Sequence, residues 1–260
     1  MAQASPISIT TRDGVTRLTI DRAEARNALN DAVMAALTVA ILEAQADAST
    51  RAIVVTGAGD RAFCAGADLK PDAKTFGFDY ARPNTVYADL LRAASHCTLP
   101  LVARVNGACM AGGMGILSMC DMAVASEEAR FGLPEVKIGL FPMQVAALLQ
   151  MVLPRTKFAE MCITGEPITA AEALQYNLVN YVVPPAQLDA KVDWLLARIV
   201  DKSPTAIRRG KYALRAMQDM TYEQALGYAE VQIGSIVHTE DAAEGLRAFN
   251  ERRPPAWTGR

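Results

Sequence analysis

The sequence predicts an α/β fold with an α-helical tail. Two observations carry this. As far as Ala125, short β-rich runs alternate with helical patterns, and after Pro142 only helical patterns follow. With 260 residues, 51% of them hydrophobic, the chain can bury a substantial core. Neither a low-complexity stretch nor a linker separates the two parts, so 1–200 reads as a core and 201–260 as a helical region.

The elements follow in order. Val15-Thr-Arg-Leu-Thr-Ile20 is a short β-rich run and predicts a strand. Asn30-Asp31 offers a helix cap, and Leu29, Val33, Leu37 and Ile41 recur at four-residue spacing, so an amphipathic helix should run to about Ala46. Ala52-Ile-Val-Val-Thr56, Leu101-Val-Ala-Arg-Val105 and Met122-Ala-Val-Ala125 read as buried strands, with a helix between the last two from Ala111-Gly-Gly113 to Cys120. The spans 144–152, 157–163, 170–176 and 188–200 look helical. Ser203-Pro204 combines a serine cap with proline at the first helical position. The stretch from Pro71 to Val86 is the least patterned and reads as a loop or lid near a pocket.

Composition excludes several functions. Twenty-six basic against 28 acidic residues leave a net charge of −2, too little basic excess for a nucleic-acid partner. No apolar run approaches a membrane span, and Met1 to Thr10 do not read as a signal peptide. Cys64, Cys97, Cys109, Cys120 and Cys162 are odd in number and form no CxxC pair, which fits small core residues in a reduced cytoplasmic protein. Two histidines, His96 and His238, leave little scope for a His-rich metal site.

Two small-residue stretches carry chemistry. Phe63-Cys-Ala-Gly-Ala-Asp-Leu69 and Ala111-Gly112-Gly113 each let a ligand approach the backbone closely. A backbone N–H from each could point at one oxygen, with the helix starting near Gly112 adding its positive end. Two such donors make an oxyanion hole. The alternative for each is close strand–helix packing. Gly57-Ala-Gly59 resembles part of a dinucleotide fingerprint, but Asp60-Arg61-Ala62 opens no helix, and a strand-to-loop turn fits better.

The ordered motifs Glu24-Ala-Arg-Asn-Ala-Leu29, Ala62-Phe-Cys-Ala-Gly-Ala-Asp-Leu69, Val105-Asn-Gly107 with Ala111-Gly-Gly113, Phe131-Gly-Leu-Pro-Glu-Val-Lys-Ile-Gly139, Thr164-Gly-Glu-Pro-Ile-Thr-Ala-Ala-Glu-Ala173 and Ala248-Phe-Asn-Glu-Arg-Arg253 resemble the crotonase superfamily, the enoyl-CoA hydratase/isomerase family. The resemblance implies a spiral of ββα repeats followed by a C-terminal helical trimerisation region. It implies an acyl-CoA thioester substrate, a homotrimer or dimer of trimers, and no metal or redox cofactor, coenzyme A being part of the substrate. The thioester oxygen would lie between the N–H groups of Ala67 and Gly112. Ala25, Arg26 and Ala28 match positions lining the CoA nucleotide, and Ala65, Asp68 and Leu69 match positions against adenine and pantetheine. The resemblance also implies substrate contact at Pro134, and Phe249 and Arg252 match tail positions that reach a neighbouring subunit's CoA.

Hydratases of this family typically use two glutamates. The second matches Glu135, but the first falls at Gly115, making this a single-glutamate variant in which glycine would enlarge the pocket beside the acyl chain. The implied function is hydration of an enoyl-CoA through an oxyanion-stabilised enolate, with Glu135 as acid/base. One carboxylate also suits a 3-enoyl-CoA/2-enoyl-CoA double-bond isomerase, and the missing glutamate suits a non-catalytic acyl-CoA-binding homologue. Outside the family context, Glu135 would be a carboxylate paired with Lys137. Asp72, Asp79 and Tyr80 are lid candidates for a second polar group. His96 and Asp121 read as structural, and Met110, Met114, Met119 and Met143 as adaptable core. Arg208, Lys211 and Arg215 form either a solvated face or a phosphate site.

Overall fold

A computed structural model describes residues 5–70, 79–81 and 84–260. The chain opens with a hairpin of β1 (Ile7–Arg12) and β2 (Val15–Ile20). Asp13 and Gly14 turn it with positive φ at both positions, as a tight Asp-Gly hairpin requires. The sequence reading omits β1, whose residues after Ile7 are all exposed and so show no alternation of burial to detect. Helix α1 (Asp31–Ala46) starts at Asn30, whose side chain accepts the Val33 N–H at 3.0 Å. Val33, Leu37 and Ile41 are buried along its inner face, as the four-residue spacing predicts.

Strands β3 (Ala52–Gly57), β5 (Leu101–Val105), β7 (Met122–Ser126) and β10 (Tyr181–Val183) complete a six-stranded sheet in the order β1-β2-β3-β5-β7-β10, parallel from β2 onward. Both faces are covered, so its central strands read as continuous apolar runs. Ile53, Val55, Leu101 and Ala103 share a core with α1 and α2 (Val86–His96). Ala52, Val54, Val102 and Val124 pack under Leu188, Val192 and Leu196 of helix α7 (Leu188–Val200).

A second, smaller sheet is invisible in the sequence patterns. Strands β4 (Ala62–Cys64), β6 (Ala108–Met110), β8 (Arg130–Gly132) and β9 (Ile168–Thr169) pair in the order β4-β6-β8-β9. Each is only two or three residues long, too short for any period to register. Successive turns of the chain contribute one strand to each sheet: β3 and β4, then β5 and β6, then β7 and β8. This is the ββα spiral. Gly57-Ala-Gly59 is the corner between β3 and β4, where the Asn106 amide donates to the Gly59 carbonyl at 2.7 Å. No helix opens there, so the dinucleotide alternative falls away.

After β8 come α3's structural neighbour α4 (Met143–Leu149), then α5 (Arg155–Thr164) and α6 (Ala170–Gln175), with α3 (Gly112–Ser118) lying between β6 and β7. The stretch after Pro142 is not purely helical, because β9 and β10 add one strand to each sheet. The tail holds α8 (Pro204–Met217), α9 (Tyr222–Ile236) and α10 (Glu240–Glu251). Ser203 caps α8 by accepting the Ala206 N–H at 3.0 Å. Among the described residues no helix is long and apolar enough to cross a membrane. No disulfide links the five cysteines; four are buried and Cys120 is half-buried.

Asp241 ties the tail together. It is 1% exposed, and its carboxylate accepts the Ser203 hydroxyl at 2.7 Å and the backbone N–H groups of Thr258 and Gly259 at 2.9 and 3.0 Å. Burial alone would raise its pKa, but these donors outweigh it and hold the group down at about 2. Asp241→Ala should therefore cost about 2 kcal/mol of stability at neutral pH. A depressed carboxylate stabilises above its unfolded value and loses that effect as pH falls through its folded value. The difference in Tm between wild type and variant should thus be full at pH 6 and vanish as pH falls from about 4 to about 2. A difference that persisted at pH 2 would show that the ionised carboxylate is not its source.

Candidate active site

The small sheet brings three separate loops to one place. Its strands β4, β6 and β8 are parallel neighbours, with Cys64 opposite Cys109 and Cys109 opposite Phe131. Paired strands lie about 4.8 Å apart, so the segments leaving their C-terminal ends emerge side by side. Residues 65–68 leave β4, α3 begins just after β6, and a short 3-10 turn, Pro134–Ile138, follows β8.

The first loop is held by Leu29. Its N–H donates to the Gly66 carbonyl and its carbonyl accepts the Asp68 N–H, both at 2.7 Å. Leu29 and Ala67 thus form a parallel bridge in which Ala67's own N–H faces away from Leu29. The second loop turns at Ala111, a non-glycine residue at φ +51° and ψ −122°. Such strain persists only where surroundings impose it. Here the Ala111 N–H is fixed to the Gly132 carbonyl at 2.9 Å, and the Ala111 carbonyl accepts the Met114 N–H at 2.9 Å. Gly112 is then the first residue of α3, so its N–H has no intrahelical acceptor. The two loops touch: a Cβ on Gly66 would lie 2.6 Å from Ala111 Cβ and 3.3 Å from Gly112 N.

Glu135 sits half-buried in the third segment. Its Oε2 is buried without a hydrogen-bond partner among the described residues. Burial pushes its pKa above the ordinary carboxylate range. The pairing with Lys137 does not occur, because Lys137 Nζ is bound to Glu166 at 2.7 Å instead. A buried carboxylate oxygen with no donor is costly in a folded protein, and such groups cluster where a ligand or proton is handled.

The proposed CoA-lining positions gather around the same loop. The Ala65 N–H donates to the Arg26 carbonyl at 3.1 Å, joining residues 25–28 to residues 65–69. Arg22 completes the link, donating to the Ala28 carbonyl at 2.7 Å and to Asp68 at 2.8 Å. Asp68 is 7% exposed, and the Arg22 hydrogen bond holds its pKa down, so it also anchors the loop. Arg26 and Leu69 are exposed, Ala28 is buried, and Pro134 starts the Glu135 turn. Phe249 and Arg252 are exposed at the end of α10, Phe249 at 81%.

One expectation is corrected. Gly115 does not enlarge the pocket. It is buried on α3, and a Cβ built there would lie 2.0 Å from the Tyr87 hydroxyl oxygen, which already fills the space. Tyr87 also donates to the Gly112 carbonyl at 2.6 Å. Sequence reasoning missed Tyr87 because α2 lay unread behind the unpatterned stretch. Thr85 as its cap, with Leu90, Leu91 and Ala94 on one face, was the available signal.

Asp72 lies outside the described residues. Asp79 and Tyr80 are exposed, and the Asp79 carboxylate accepts the Ala81 N–H at 2.9 Å. His96 is exposed at the end of α2, bonded to the Arg92 carbonyl. Asp121 accepts the Leu101 N–H at 2.7 Å and Lys211 Nζ at 2.6 Å, a structural tie between α8 and β5. Lys211 is thus paired and Arg208 binds the Gly259 carbonyl, so neither is a simple solvated face. Lys211 and Arg215 line a cavity of about 660 Å³ with Leu91, Ser95, Met119 and Leu148, apart from Glu135. Met114 and Met119 are core, whereas Met143 is exposed. Among the described residues no cluster of three or more His, Cys, Asp or Glu could hold a metal ion.

Comparison with known proteins agrees with this arrangement. The family described as enoyl-CoA hydratase/isomerase matches residues 10–260. The chain is 33% identical to (E)-benzylidenesuccinyl-CoA hydratase of Thauera aromatica, over 98% of this chain and 99% of that protein. It is 35% identical to carnitinyl-CoA dehydratase of Salmonella enteritidis PT4, over 96% and 97%. Among solved structures, enoyl-CoA hydratase of Mycobacterium smegmatis superposes with a TM-score of 0.88 at 33% identity, covering 97% of this chain and 98% of that one. The Bacillus anthracis enoyl-CoA hydratase gives 0.90 at 28% identity, over 98% and 100%. The ββα spiral, the two loops of small residues and these likenesses together establish that the chain belongs to the enoyl-CoA hydratase/isomerase family.

Proposed function

We propose that this protein adds water to, or removes it from, an acyl-CoA thioester, with Ala67 and Gly112 as oxyanion donors and Glu135 as acid/base. The observation that carries the reading is the buried Oε2 of Glu135, without a hydrogen-bond partner among the described residues and carried on the turn that follows β8, beside the two loops. The hydratase and dehydratase names of the two relatives support the reaction class.

With the thioester oxygen between the two N–H groups, negative charge developing on it is stabilised where no solvent need reorganise. Water oxygen bonds to the β-carbon and the double-bond pair moves through the α-carbon to the thioester oxygen. Glu135 takes a proton from that water and returns one to the α-carbon as the enolate collapses. Dehydration is the reverse. The single carboxylate favours a second reading, double-bond isomerisation, in which Glu135 carries one proton between two carbons and no water is consumed.

The tail supports assembly. Helix α9 buries no side chain within one chain, and Tyr222, Leu226, Val231 and Ile233 are exposed along it. A helix so uncovered gains little from its own chain, and apolar surface of this extent marks an interface. We infer a homotrimer or a dimer of trimers, with Phe249 and Arg252 reaching a neighbour's CoA.

Four outcomes follow. In heavy-oxygen water, with a panel of 2-enoyl- and 3-enoyl-CoA thioesters, product should carry the heavy oxygen. A shifted double bond at unchanged mass would establish the isomerase instead. Glu135→Gln should lower turnover about 10³-fold, the scale of general acid–base catalysis, with Tm unchanged or raised because a buried charge is removed. Because the ionised carboxylate is the base and burial raises its pKa, kcat/KM for hydration should fall with acidity at a midpoint above 4.5. Light scattering should find an oligomer that Val231→Glu breaks into smaller species, and a wild-type monomer would end the assembly proposal.

A further inference from the structure

We propose that the Tyr87 hydroxyl is the second water-holding group of the site, standing in the space that a side chain at position 115 would occupy. This deepens the hydration reading above and rests on it. Gly115 lies three residues along α3 from Gly112, on the turn that follows the oxyanion loop. A Cβ on Gly115 would meet the Tyr87 hydroxyl oxygen at 2.0 Å, Tyr87 Cζ at 3.1 Å and Val145 Cγ2 at 3.5 Å. A side chain at 115 therefore cannot share this space with the Tyr87 phenol where it stands; one of the two must move. Glycine at 115 is what admits the phenol.

Tyr87 is held in place from several sides. Thr85 caps α2 by accepting the Ala88 N–H at 3.2 Å, and Gln144 of α4 donates to the same Thr85 hydroxyl at 2.5 Å. The phenol oxygen donates to the Gly112 carbonyl at 2.6 Å and lies 3.8 Å from a Cβ built on Gly112. Glu135 is close enough for its charge to raise the Tyr87 pKa further, after burial and the nearby Cys64 and Cys109. Burial and these neighbours all favour the protonated phenol.

The hydrogen-bond inventory then decides the role. A tyrosine hydroxyl has one hydrogen and two acceptor lone pairs. The hydrogen is given to Gly112, so what Tyr87 offers the site is an acceptor. Glu135 Oε2 is a second acceptor, without a donor among the described residues. A water molecule satisfies both with its two O–H bonds and keeps its own lone pair for the β-carbon. During addition the water's O–H bond to Glu135 breaks, the O–C bond to the β-carbon forms, and the displaced pair moves to the thioester oxygen. Glu135 then delivers its proton to the α-carbon. Tyr87 keeps its proton throughout and accepts from the hydroxyl that remains on the product.

The test uses the full-length protein and the 2-enoyl-CoA that turns over fastest. Tyr87→Phe should lower kcat for hydration about 30-fold with KM changed less than threefold. Exchange of the α-hydrogens of the saturated acyl-CoA with deuterated water needs only Glu135 and the oxyanion donors, so it should stay within threefold of wild type. If hydration in the variant remains at the wild-type rate, Tyr87 holds no water. If hydration and exchange fall together, Tyr87 acts only through the Gly112 loop and the proposal is equally overturned. Should Tyr87→Phe fold poorly, the paired change Tyr87→Ala with Gly115→Glu decides. It puts a carboxylate into the same volume and should hydrate at least tenfold faster than Tyr87→Ala alone, and absence of that rescue refutes the shared position. Failure of the underlying reading looks different: the wild type itself would incorporate no heavy oxygen, or Glu135→Gln would hydrate normally.

Discussion

The pairing of three very short parallel strands is the constraint on which the site depends. β4, β6 and β8 contribute few hydrogen bonds, yet their adjacency alone brings the 65–68 loop, the start of α3 and the Glu135 turn together. These segments lie far apart in the chain. The large sheet makes the short pairing possible, because β3, β5 and β7 are longer, almost wholly buried and in parallel register. β4, β6 and β8 each continue a strand of the large sheet past a corner. Stability thus comes from the large sheet, and the small one inherits its order with little freedom to slip.

That division explains what could be read from the sequence. The runs at 52–56 and 101–105 and the four-residue spacing behind Asn30 are signatures of elements buried by many neighbours, and the structure has them where the patterns put them. The bounds 188–200 coincide with α7 because an amphipathic stripe, from Leu188 to Ile199, packs on the large sheet. β4, β6 and β8 leave no such trace, since three residues cannot display a period. The small-residue loops could be seen, because close approach of backbones demands small side chains: a Cβ on Gly113 would lie 2.3 Å from the Cys64 carbonyl. The Tyr87–Gly115 relation could not be seen. It is a complementarity of volume between residues on different helices, and each residue alone looks ordinary.

The tail obeys a different logic. α8, α9 and α10 have clear caps and helical patterns, but α9 faces no core within its own chain. Asp241 compensates locally by binding the starts of α8 and α10 to the returning C-terminal segment. Glu244 adds a second tie, accepting Arg253 at 2.6 Å and the Ala256 N–H at 2.8 Å. Polar bonds of this kind set the positions of helices but do not cover apolar side chains. The proposed assembly would supply, from outside the chain, the cover that these apolar side chains lack within it.

Replacing a carboxylate by a phenol would change how the site titrates. Two carboxylates sharing one water repel each other, so ionising the first raises the pKa of the second, and the pair loses its protons in two coupled steps. A phenol that stays neutral removes that repulsion. Glu135, raised by burial, would then ionise in a single step. One ionisation leaves one negative charge beside a thioester that must itself acquire negative charge at its oxygen. A second carboxylate so close would oppose that development in a site of low dielectric. Tyr87 would hold the water without adding charge, at the cost of giving up a second base. Such a site suits a substrate whose own groups already favour proton loss or water addition, and it places the whole burden of proton transfer on Glu135.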